Sequence, residues 1–480
     1  MSSVIIGNKD KFHEECGVFG LYCSDSSADT VELTRGALFS LQHRGQESAG
    51  VSVNNNGEFS TVKDIGMVST VLSKQAVSKL PNGKITVGHV RYSAVEGYSR
   101  AAAQPLVMRY IQGSMALANN GAITNFAELR KELENGGAIF QSNSNAELIS
   151  YVIASSRIDT DSIEDAVIRG VKRLKGAFSI VLSSPNKLIG VRDGHGFRPL
   201  AIGKLGDSYM LASESCVFDS LGAELVRDVM PGEMVVIDED GLHSYKNLMN
   251  KTPSFCLFEY VYIARPDSVI NGVSVYSVRN KAGQILYREH PVDADVVCGV
   301  PDSGIPAAQG FSQASGIPFT MGFVKNKYIG RYLPGNSKDK RERLLMTKLT
   351  ALKSNVKDKR VVIIDDSIVK GETSAHIVNL LREAGAKEVH MRVSSPPFLH
   401  SCYFGTDISN EEDLIANKMT VDEICKSIGA DSLGYLSLEG LHEIARDSDI
   451  ACCDGCFSGN YSADLPKSIF VDKFAKKIEK

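Results

Sequence analysis

The stretch that most constrains the fold is "RVVIIDDSIVKGETS", residues 360–374. Four consecutive apolar residues, 361–364, predict a buried strand that ends at Asp365 and Asp366. Small and hydroxyl-bearing residues follow, and a helical pattern begins at Ala375. The N–H groups of such a loop and of a helix N-terminus bind a phosphate monoester. The stretch therefore predicts a parallel α/β sheet with a phosphate site at its carboxyl edge.

A second strand, loop and helix precede this stretch, in "ADVVCGVPDSGIPAAQG". Gly299 and Gly304 allow a ligand to approach the backbone, and Ser303 offers a hydroxyl to a metal or phosphate. By itself the loop could equally be a simple turn between strand and helix. Beside the Asp365–Asp366 loop we interpret it as a diphosphate loop. The basic segment 325–348 between the two is either a lid over a polyanion or a solvated face.

Bulk composition excludes several classes of protein. The formal net charge of −4, the 7% aromatic content and the absence of tryptophan disfavour a nucleic-acid-binding surface. No apolar run approaches the ~18 residues that span a membrane, and the first residues lack a basic signal-peptide region. We therefore expect a cytoplasmic protein whose ten cysteines are reduced thiols, metal ligands or catalysts.

The first half of the chain has a different pattern of predicted strands and helices. Between residues 16 and 245, β-rich runs such as "CGVFGLY", "KITVGHVRYS" and "SMALANNG" end in Gly, Asn or Asp. Two segments, "ADTVELTRGALFSLQHRG" and "NFAELRKELENGG", have helical spacing instead. This pattern predicts a layered sheet domain with helices on its faces, joined to the second domain near residues 245–258.

Two cysteine positions leave alternatives open. Cys16, in "KFHEECGVFG", could be a small core residue, half of a disulfide, or a nucleophile exposed by removal of fifteen residues. Cys453 and Cys456 form a C-x-x-C pair, which is half of a metal site. Spacing alone does not choose between zinc, an iron–sulfur cluster and a redox pair.

Several motifs together resemble the amidophosphoribosyltransferase family, glutamine-dependent enzymes that open purine biosynthesis. They are "ECGVFG", "SLQHRGQESAG", "GHVRYS", "NNGAITN", "GFRPLAIG" and the 360–374 loop, which resembles the phosphoribosyl diphosphate (PRPP) signature of type I phosphoribosyltransferases. The resemblance implies an α/β protein: an N-terminal-nucleophile (Ntn) hydrolase αββα sandwich over 16–245 and a type I phosphoribosyltransferase parallel-sheet domain over 246–480. Residues 1–15 would be a propeptide.

The resemblance also assigns roles in the first domain. Cys16 would be the nucleophile, with its own α-amine as base after cleavage, because such an amine has a pKa near 8. Asn120 and Gly121 would hold the oxyanion. Arg91 would bind the glutamine carboxylate, Arg44 would support the site, and Asn145 would lie near the glutamine α-ammonium.

In the second domain the resemblance implies a PRPP and Mg²⁺ site, with Mg²⁺ on Ser303, Asp365 and Asp366. The residues assigned to PRPP are Asp302, Ser303, Lys325, Arg331, Asp365, Asp366, Ser367, Ile368, Val369, Lys370, Gly371, Glu372, Thr373 and Ser374. A [4Fe–4S] cluster would be bound by Cys256, Cys402, Cys453 and Cys456. Glutamine and PRPP are the implied substrates, purine nucleotides the implied feedback inhibitors, and a homotetramer the implied assembly, without nucleic acid or membrane as partner.

The sequence also departs from the family pattern. The family usually has aspartate at Asn145, threonine at Ala94 and histidine at Asn119, while Glu372 adds negative charge beside the phosphate loop. Two alternatives to a working amidophosphoribosyltransferase follow from these departures. One is a divergent paralogue that transfers the phosphoribosyl group to free ammonia, and the other is a non-catalytic regulator that binds PRPP or nucleotides.

Overall fold

A computed structural model describes residues 16–92, 100–249, 251–326, 349–406, 408, 411–448 and 450–467. These residues form two compact units. The amino-terminal unit comprises 16–255, 403–406 and 461–467, and the carboxyl-terminal unit comprises 256–402 and 408–460, with the gaps just given. The predicted propeptide (1–15), Ala94, Arg331 and most of the basic segment 325–348 lie outside the described residues.

The amino-terminal unit contains thirteen complete strands and seven α-helices among its described residues. The strands are β1 (Gly17–Tyr22), β2 (Ser48–Asn55), β3 (Glu58–Ile65), β4 (Ile85–Arg91), β5 (Leu106–Tyr110), β6 (Gly113–Asn120), β7 (Ser179–Ser183), β8 (Leu188–Arg192), β9 (Ala201–Leu205), β10 (Ser208–Ala212), β11 (Glu224–Asp228), β12 (Met234–Asp238) and β13 (Gly241–Tyr245). The helices are α1 (Thr30–Ser40), α2 (Val68–Val71), α3 (Lys74–Val77), α4 (Phe126–Asn135), α5 (Asn145–Arg157), α6 (Ile163–Val171) and α7 (Cys216–Leu221), with 3₁₀ turns at Gln42–Arg44 and Arg100–Ala102.

These strands form two antiparallel sheets. One has the order β11-β9-β10-β1-β4-β2-β3 and the other β13-β12-β8-β7-β6-β5. Strand β1 shows how they stack: Phe19 and Leu21 pack with helix α1, whereas Val18 and Tyr22 pack with Ala118 of the second sheet. Because successive side chains alternate between faces, a strand buried on both faces is apolar throughout. Helices α5 and α6 cover the outer face of the second sheet, so the predicted αββα sandwich is confirmed.

The carboxyl-terminal unit has short peripheral strands and a central sheet. Strand β14 (Phe255–Cys256) crosses the boundary between the units, and the others are β15 (Val269–Ile270), β16 (Val273–Ser274), β17 (Val296–Gly299), β18 (Phe323–Lys325), β19 (Leu349–Ala351), β20 (Arg360–Asp365), β21 (Glu388–Val393), β22 (Ser432–Tyr435) and β23 (Cys452–Cys453). The helices are α8 (Val275–Glu289), α9 (Gly304–Ser315), α10 (Lys353–Val356), α11 (Glu372–Glu383), α12 (Val421–Ile428), α13 (Leu438–Ile444) and α14 (Gly455–Ser458). A π-helical turn covers Glu259–Ile263, and 3₁₀ turns cover Glu411–Asp413 and Ile415–Asn417.

The central sheet has the order β17-β20-β21-β22, and every neighbouring pair is parallel. The predicted parallel sheet is thus confirmed. Strands β17 and β20 lie side by side, so the loops after Gly299 and Asp365 emerge at the same edge. Ligands of open parallel sheets bind at this carboxyl edge. No helix among the described residues is long and apolar enough to cross a membrane.

Candidate functional site

Cys16 lies immediately before β1 and is only partly buried. Its thiol donates to the carbonyl of Tyr92, with 3.2 Å between Sγ and O. The register pairs Gly17 with Val90, so its continuation places Cys16 opposite Arg91. None of the ten cysteines forms a disulfide among the described residues. Cys16 is therefore a partly accessible thiol at the end of a strand rather than half of a bridge.

Asn120 ends β6 in the facing sheet. Ala118 and Val18 share the core between the two sheets, and strand side chains repeat every second residue. The alternation therefore directs Asn120, two residues after Ala118, and Cys16, two residues before Val18, into the same space between the sheets. A hydrogen bond also joins the sheets here, because His89 Nε2 donates to the Asn119 carbonyl at 3.2 Å.

The Asn120 side chain is fully buried, yet neither its nitrogen nor its oxygen has a hydrogen-bond partner among the residues that the structure describes. Buried amides are normally satisfied, because an unmade hydrogen bond costs about 1–3 kcal/mol. The next residue, Gly121, has a φ of +127°. A Cβ there would lie 2.4 Å from the Ala177 carbonyl oxygen, so only glycine fits. An unsatisfied amide beside an irreplaceable glycine indicates a site that binds a polar group of a ligand.

His89 adds a second polar group to this space. Burial, and then the charge of Arg91, lowers the pKa of His89 to about 3, so the ring is neutral. Since Nε2 donates to Asn119, Nδ1 keeps its lone pair, and no partner for it is found in the described structure. His89 therefore contributes a buried acceptor but no positive charge.

Arg44 is fully buried and reaches Cys16 directly. Its Nε donates to the Cys16 carbonyl at 3.2 Å, and its Nη1 donates to Glu214 Oε1 at 2.5 Å. His43 Nε2 lies 2.6 Å from the same Glu214 oxygen. Arg44 thus links the Cys16 backbone to a buried carboxylate, an arrangement that suits its predicted supporting role.

Asn145 is the first residue of α5 and is half-buried. Its Oδ1 accepts the backbone N–H of Ile123 at 3.1 Å. Ile123 lies two residues after Gly121, so Asn145 is tied to the predicted oxyanion loop. Because the side chain is an uncharged amide, Asn145 can offer a ligand its NH₂ donor and the second lone pair of Oδ1, but no negative charge.

In the carboxyl-terminal unit, Asp365 ends β20, Asp366 follows it, and both are largely buried. Ser303 Oγ donates to Asp366 Oδ2 at 2.5 Å, and Ser367 Oγ donates to Asp366 Oδ1 at 2.6 Å. The Asp365 carboxylate accepts the Asp366 N–H at 3.0 Å. Asp366 therefore joins the loop after β17 to the loop after β20, and the predicted set Ser303, Asp365 and Asp366 is brought together.

The loop after β17 packs tightly against β20. A Cβ on Gly304 would lie 2.3 Å from the Ile364 carbonyl oxygen, so this glycine permits the approach of helix α9 to the strand. In the same loop, Asp302 Oδ2 accepts from Lys325 Nζ at 2.6 Å. The structure thus pairs two residues that the sequence assigns to PRPP. The other cationic candidate of this region, Arg331, is outside the described residues.

The residues of the loop after β20 differ in which groups they can offer to a phosphate. Ile368 and Val369 are buried, and Ile368 belongs to the core of this unit, so they can offer a phosphate only their backbone. Gly371 has a φ of +85° and precedes α11, whose first residues are Glu372, Thr373 and Ser374. Their N–H groups lack carbonyl partners within the helix. This arrangement suits an anion.

Lys370 and Glu372 carry the charged side chains at the end of this loop. Lys370 Nζ donates to Asp413 Oδ2 at 3.0 Å, and Glu372 is exposed at the start of α11. Lys370 is therefore neutralised by a carboxylate, while Glu372 can extend into solvent away from the backbone N–H groups. The acid at position 372 does not occupy the phosphate cradle itself.

Chain segments that carry the four predicted cluster cysteines contact one another in the carboxyl-terminal unit: β14 pairs with β23, and the Cys456 carbonyl accepts the N–H groups of Leu399 and His400. Burial, and then negative charge on Cys402, Cys256 and Cys453, raises the pKa of the Cys456 thiol well above its ordinary value. The four cysteines come from β14, the segment at residue 402, β23 and α14. Within the described ranges, no group of three or more His, Cys, Asp or Glu side chains is arranged to hold one metal ion. Four cysteine thiolates are the usual ligand set of a [4Fe–4S] cluster, so the residue types suit one.

Sequence reasoning overlooked Glu214 and His89 as site residues. His89 lies in the motif "GHVRYS", in which Arg91 is the residue that was assigned a role. Glu214 follows the apolar run "YMLAS", and a carboxylate directly after a buried strand is the signal that could have indicated it.

Comparison with known proteins gives consistent results for both units. Residues 89–220 match the glutamine amidotransferase domain family and residues 275–395 the phosphoribosyl transferase domain family. An amidophosphoribosyltransferase of Bacillus subtilis (strain 168) is 43% identical over 458 residues, which cover 94% of this chain and 95% of that protein.

Two solved structures are similar over nearly the full chain. One is described as the allosteric regulatory enzyme of purine biosynthesis; its TM-score is 0.88 at 43% identity, covering 94% of this chain and 97% of that one. The other is a glutamine PRPP amidotransferase from B. subtilis complexed with ADP and GMP; its TM-score is 0.88 at 42% identity, covering 95% of this chain and 99% of that one. Likeness of this extent does not favour the paralogue and regulator alternatives.

Proposed function

Because the chain belongs to the amidophosphoribosyltransferase family, we propose that its two units perform the two half-reactions with the residues assembled above. The overall reaction makes 5-phosphoribosylamine from PRPP and ammonia derived from glutamine, at the start of purine biosynthesis. The observation that carries the residue assignment is the fully buried, unsatisfied Asn120 amide beside Gly121. We assign residues 16–245 to glutamine hydrolysis and 246–480 to phosphoribosyl transfer.

In the first half-reaction, cleavage after residue 15 frees the α-amine of Cys16. This amine takes the thiol proton, and the thiolate attacks the side-chain amide carbon of glutamine. The Asn120 amide and the Gly121 N–H stabilise the oxyanion of the tetrahedral intermediate. Collapse of that intermediate returns the proton to the leaving nitrogen and releases ammonia. Water then hydrolyses the thioester, which yields glutamate and restores Cys16.

In the second half-reaction, ammonia displaces diphosphate from C1 of the ribose. The N–H groups of residues 367–374 bind the 5′-phosphate, and the loop at 300–304 faces the diphosphate. Asp365 and Asp366 bind the ribose hydroxyls and offset the positive charge that develops on the ring. Ser303, Asp365 and Asp366 would also hold Mg²⁺, since hydroxyl and carboxylate oxygens are its usual protein ligands.

The proposed function is tested by a product assay. The purified protein is supplied with PRPP and either glutamine or ammonium, and diphosphate, 5-phosphoribosylamine and glutamate are measured. We expect diphosphate with both nitrogen donors and glutamate in equal amount when glutamine is used. Diphosphate with ammonium alone would reject the glutaminase assignment. No diphosphate with either donor, despite PRPP binding, would reject an enzymatic function.

Asn145 should limit the affinity for glutamine. Its Oδ1 already accepts the Ile123 N–H, and as a neutral amide oxygen it can offer the glutamine α-ammonium only an uncharged second acceptor. In an Asn145→Asp variant, one oxygen keeps the Ile123 bond and the other accepts from the ammonium. A charge-assisted bond is worth about 1.5–3 kcal/mol, so we expect KM for glutamine to fall about tenfold or more.

The control for this variant is Asn143→Asp, which adds the same charge two residues earlier, beside Arg130. We expect it to leave KM for glutamine unchanged. The rate with ammonium should be the same in both variants and the wild type. An unchanged or higher KM in Asn145→Asp would contradict the assigned position of the glutamine ammonium.

We also propose that Cys256, Cys402, Cys453 and Cys456 bind a [4Fe–4S] cluster, which is supported by the pairing of β14 with β23, the strands that carry Cys256 and Cys453. When bound, the cluster would link these segments through thiolate ligands and stabilise the unit without taking part in the reaction. Protein purified without oxygen should contain about four irons and four sulfides per chain. Cys456→Ser should lose the iron, whereas Cys425→Ser should keep it. One zinc per chain and no sulfide would reject the cluster in favour of zinc.

Proposals about assembly, location and regulation rest on membership of the family and on the relatives described above. We propose a homotetramer in the cytoplasm, where thiols remain reduced. We also propose purine nucleotides as feedback inhibitors, since the similar B. subtilis structure is complexed with ADP and GMP.

A further inference from the structure

We propose that Glu214 is a positioning residue for the Cys16 nucleophile and acts through Arg44. The inference rests on the proposed glutaminase function and adds a residue to it. Glu214 lies between β10 and α7 and is fully buried. It is 170 residues from Arg44 in the chain, yet its Oε1 accepts from Arg44 Nη1 at 2.5 Å.

The Arg44 guanidinium bridges the carboxylate and the nucleophile. Its Nε donates to the Cys16 carbonyl, 3.2 Å away. That carbonyl belongs to the peptide bond between Cys16 and Gly17, which cleavage before Cys16 leaves intact. The same bridge is therefore available to the mature protein.

Maturation makes this contact more important. Once residue 16 is the first of the chain, only the bond to Gly17 holds it, and chain ends are usually poorly ordered. Attack on a carbon requires the thiol to be within about 3–3.5 Å of it and correctly directed. A hydrogen bond to the Cys16 carbonyl restrains rotation of the residue that carries both the thiol and the base.

Glu214 is suited to hold Arg44 in place. Arg44 has no exposed surface, and a buried guanidinium requires a paired carboxylate. The preceding residue fixes the Glu214 backbone near β1, because Ser213 Oγ accepts the Val18 N–H at 2.9 Å. His43 Nε2 contacts the same Glu214 oxygen at 2.6 Å and restrains the carboxylate from a second side.

Another buried ion pair of this unit provides a comparison. Glu233 is also fully buried and accepts from Arg227 at 2.7 Å. Arg227 also donates to the Asp228 carbonyl, beside it in the chain. The two acids are thus alike in burial and pairing, but only Glu214 is connected to Cys16 by the contacts described above.

The test compares Glu214→Gln with Glu233→Gln in the mature protein. For Glu214→Gln we expect kcat with glutamine to fall about 100-fold, because small displacements of reacting groups have effects of that size. KM for glutamine should change little, and the rate with ammonium should stay within about twofold of the wild type. Glu233→Gln should lower thermal stability but keep kcat with glutamine within about twofold of the wild type.

A double-mutant cycle tests whether Glu214 acts through Arg44. If it does, adding Glu214→Gln to an Arg44→Lys variant should lower kcat with glutamine little further. Two substitutions that disrupt the same contact do not have additive effects. Fully additive effects would overturn the inference, as would an unchanged kcat or an equal loss with ammonium. If Glu214→Gln does not fold, Glu214→Asp, which keeps the charge but shortens the side chain, is expected to show the same selective loss. Absence of glutamine hydrolysis by the wild type would overturn the proposed function itself, whereas equal kcat in the wild type and Glu214→Gln would overturn this inference alone.

Discussion

Replacing Cys16 by alanine is expected to abolish synthesis of 5-phosphoribosylamine from glutamine while leaving synthesis from ammonium intact. In the proposed mechanism the thiol at residue 16 forms the covalent intermediate. Loss of a catalytic nucleophile lowers kcat by about 10⁴-fold or more. The ammonium reaction needs only the carboxyl-terminal unit's residues, so its rate should remain within about twofold of the wild type. Both rates are measured as diphosphate release from PRPP.

Cys23→Ala is the matched control for this variant. Cys23 is a buried thiol just after the same strand, and it donates to the Asp25 carbonyl at 3.2 Å. The substitution should leave both rates close to those of the wild type. A Cys16→Ala protein that still releases glutamate and ammonia from glutamine would show that the nucleophile is another residue. Equal loss of the two rates would show that Cys16 is needed for folding rather than for chemistry.

Asp366→Asn is expected to suppress phosphoribosyl transfer with either nitrogen donor. Both carboxylate oxygens accept hydroxyl hydrogens, from Ser303 and Ser367, and an amide can accept only at one position. The substitution would also remove the negative charge that the proposed mechanism places beside the cationic ribose ring. Loss of one such electrostatic contact typically costs about 10²–10³-fold in kcat. Diphosphate release at saturating PRPP and ammonium measures the effect, while glutamine hydrolysis assayed separately should persist.

The control for Asp366→Asn lies at the opposite edge of the same sheet. Asp295 precedes β17, accepts the Arg360 N–H at 2.8 Å and bonds its guanidinium. Arg360 lowers the pKa of Asp295 to about 2. Asp295→Asn removes this ion pair but should leave the transfer rate within about twofold of the wild type, because ligands bind at the carboxyl edge. If the two variants lose equal activity, the effect of Asp366 is structural.

Several site residues were predictable because their signals are local. The run 361–364 and the doubled aspartate are contiguous, so strand, loop and helix follow from periodicity and loop chemistry. Gly121 and Gly304 were identified from motifs, and the structure explains both by the carbonyl oxygens that a Cβ would meet. The pairing of Lys325 with Asp302 and of Lys370 with Asp413 was not predictable, because a basic residue near a predicted polyanion site is equally consistent with binding it.

The sequence by itself determined the two kinds of domain, the strands that end at the two sites, and the residue types that could do the chemistry. Each of these depends on neighbours within a few positions, where hydrophobic period and turn residues act directly. The tertiary structure alone decided that Glu214 accepts from Arg44, that Asn145 accepts the Ile123 N–H, and that Cys256 and Cys453 lie on paired strands. These contacts join residues far apart in the chain, so they exist only once sheet order and layer packing bring the strand ends together.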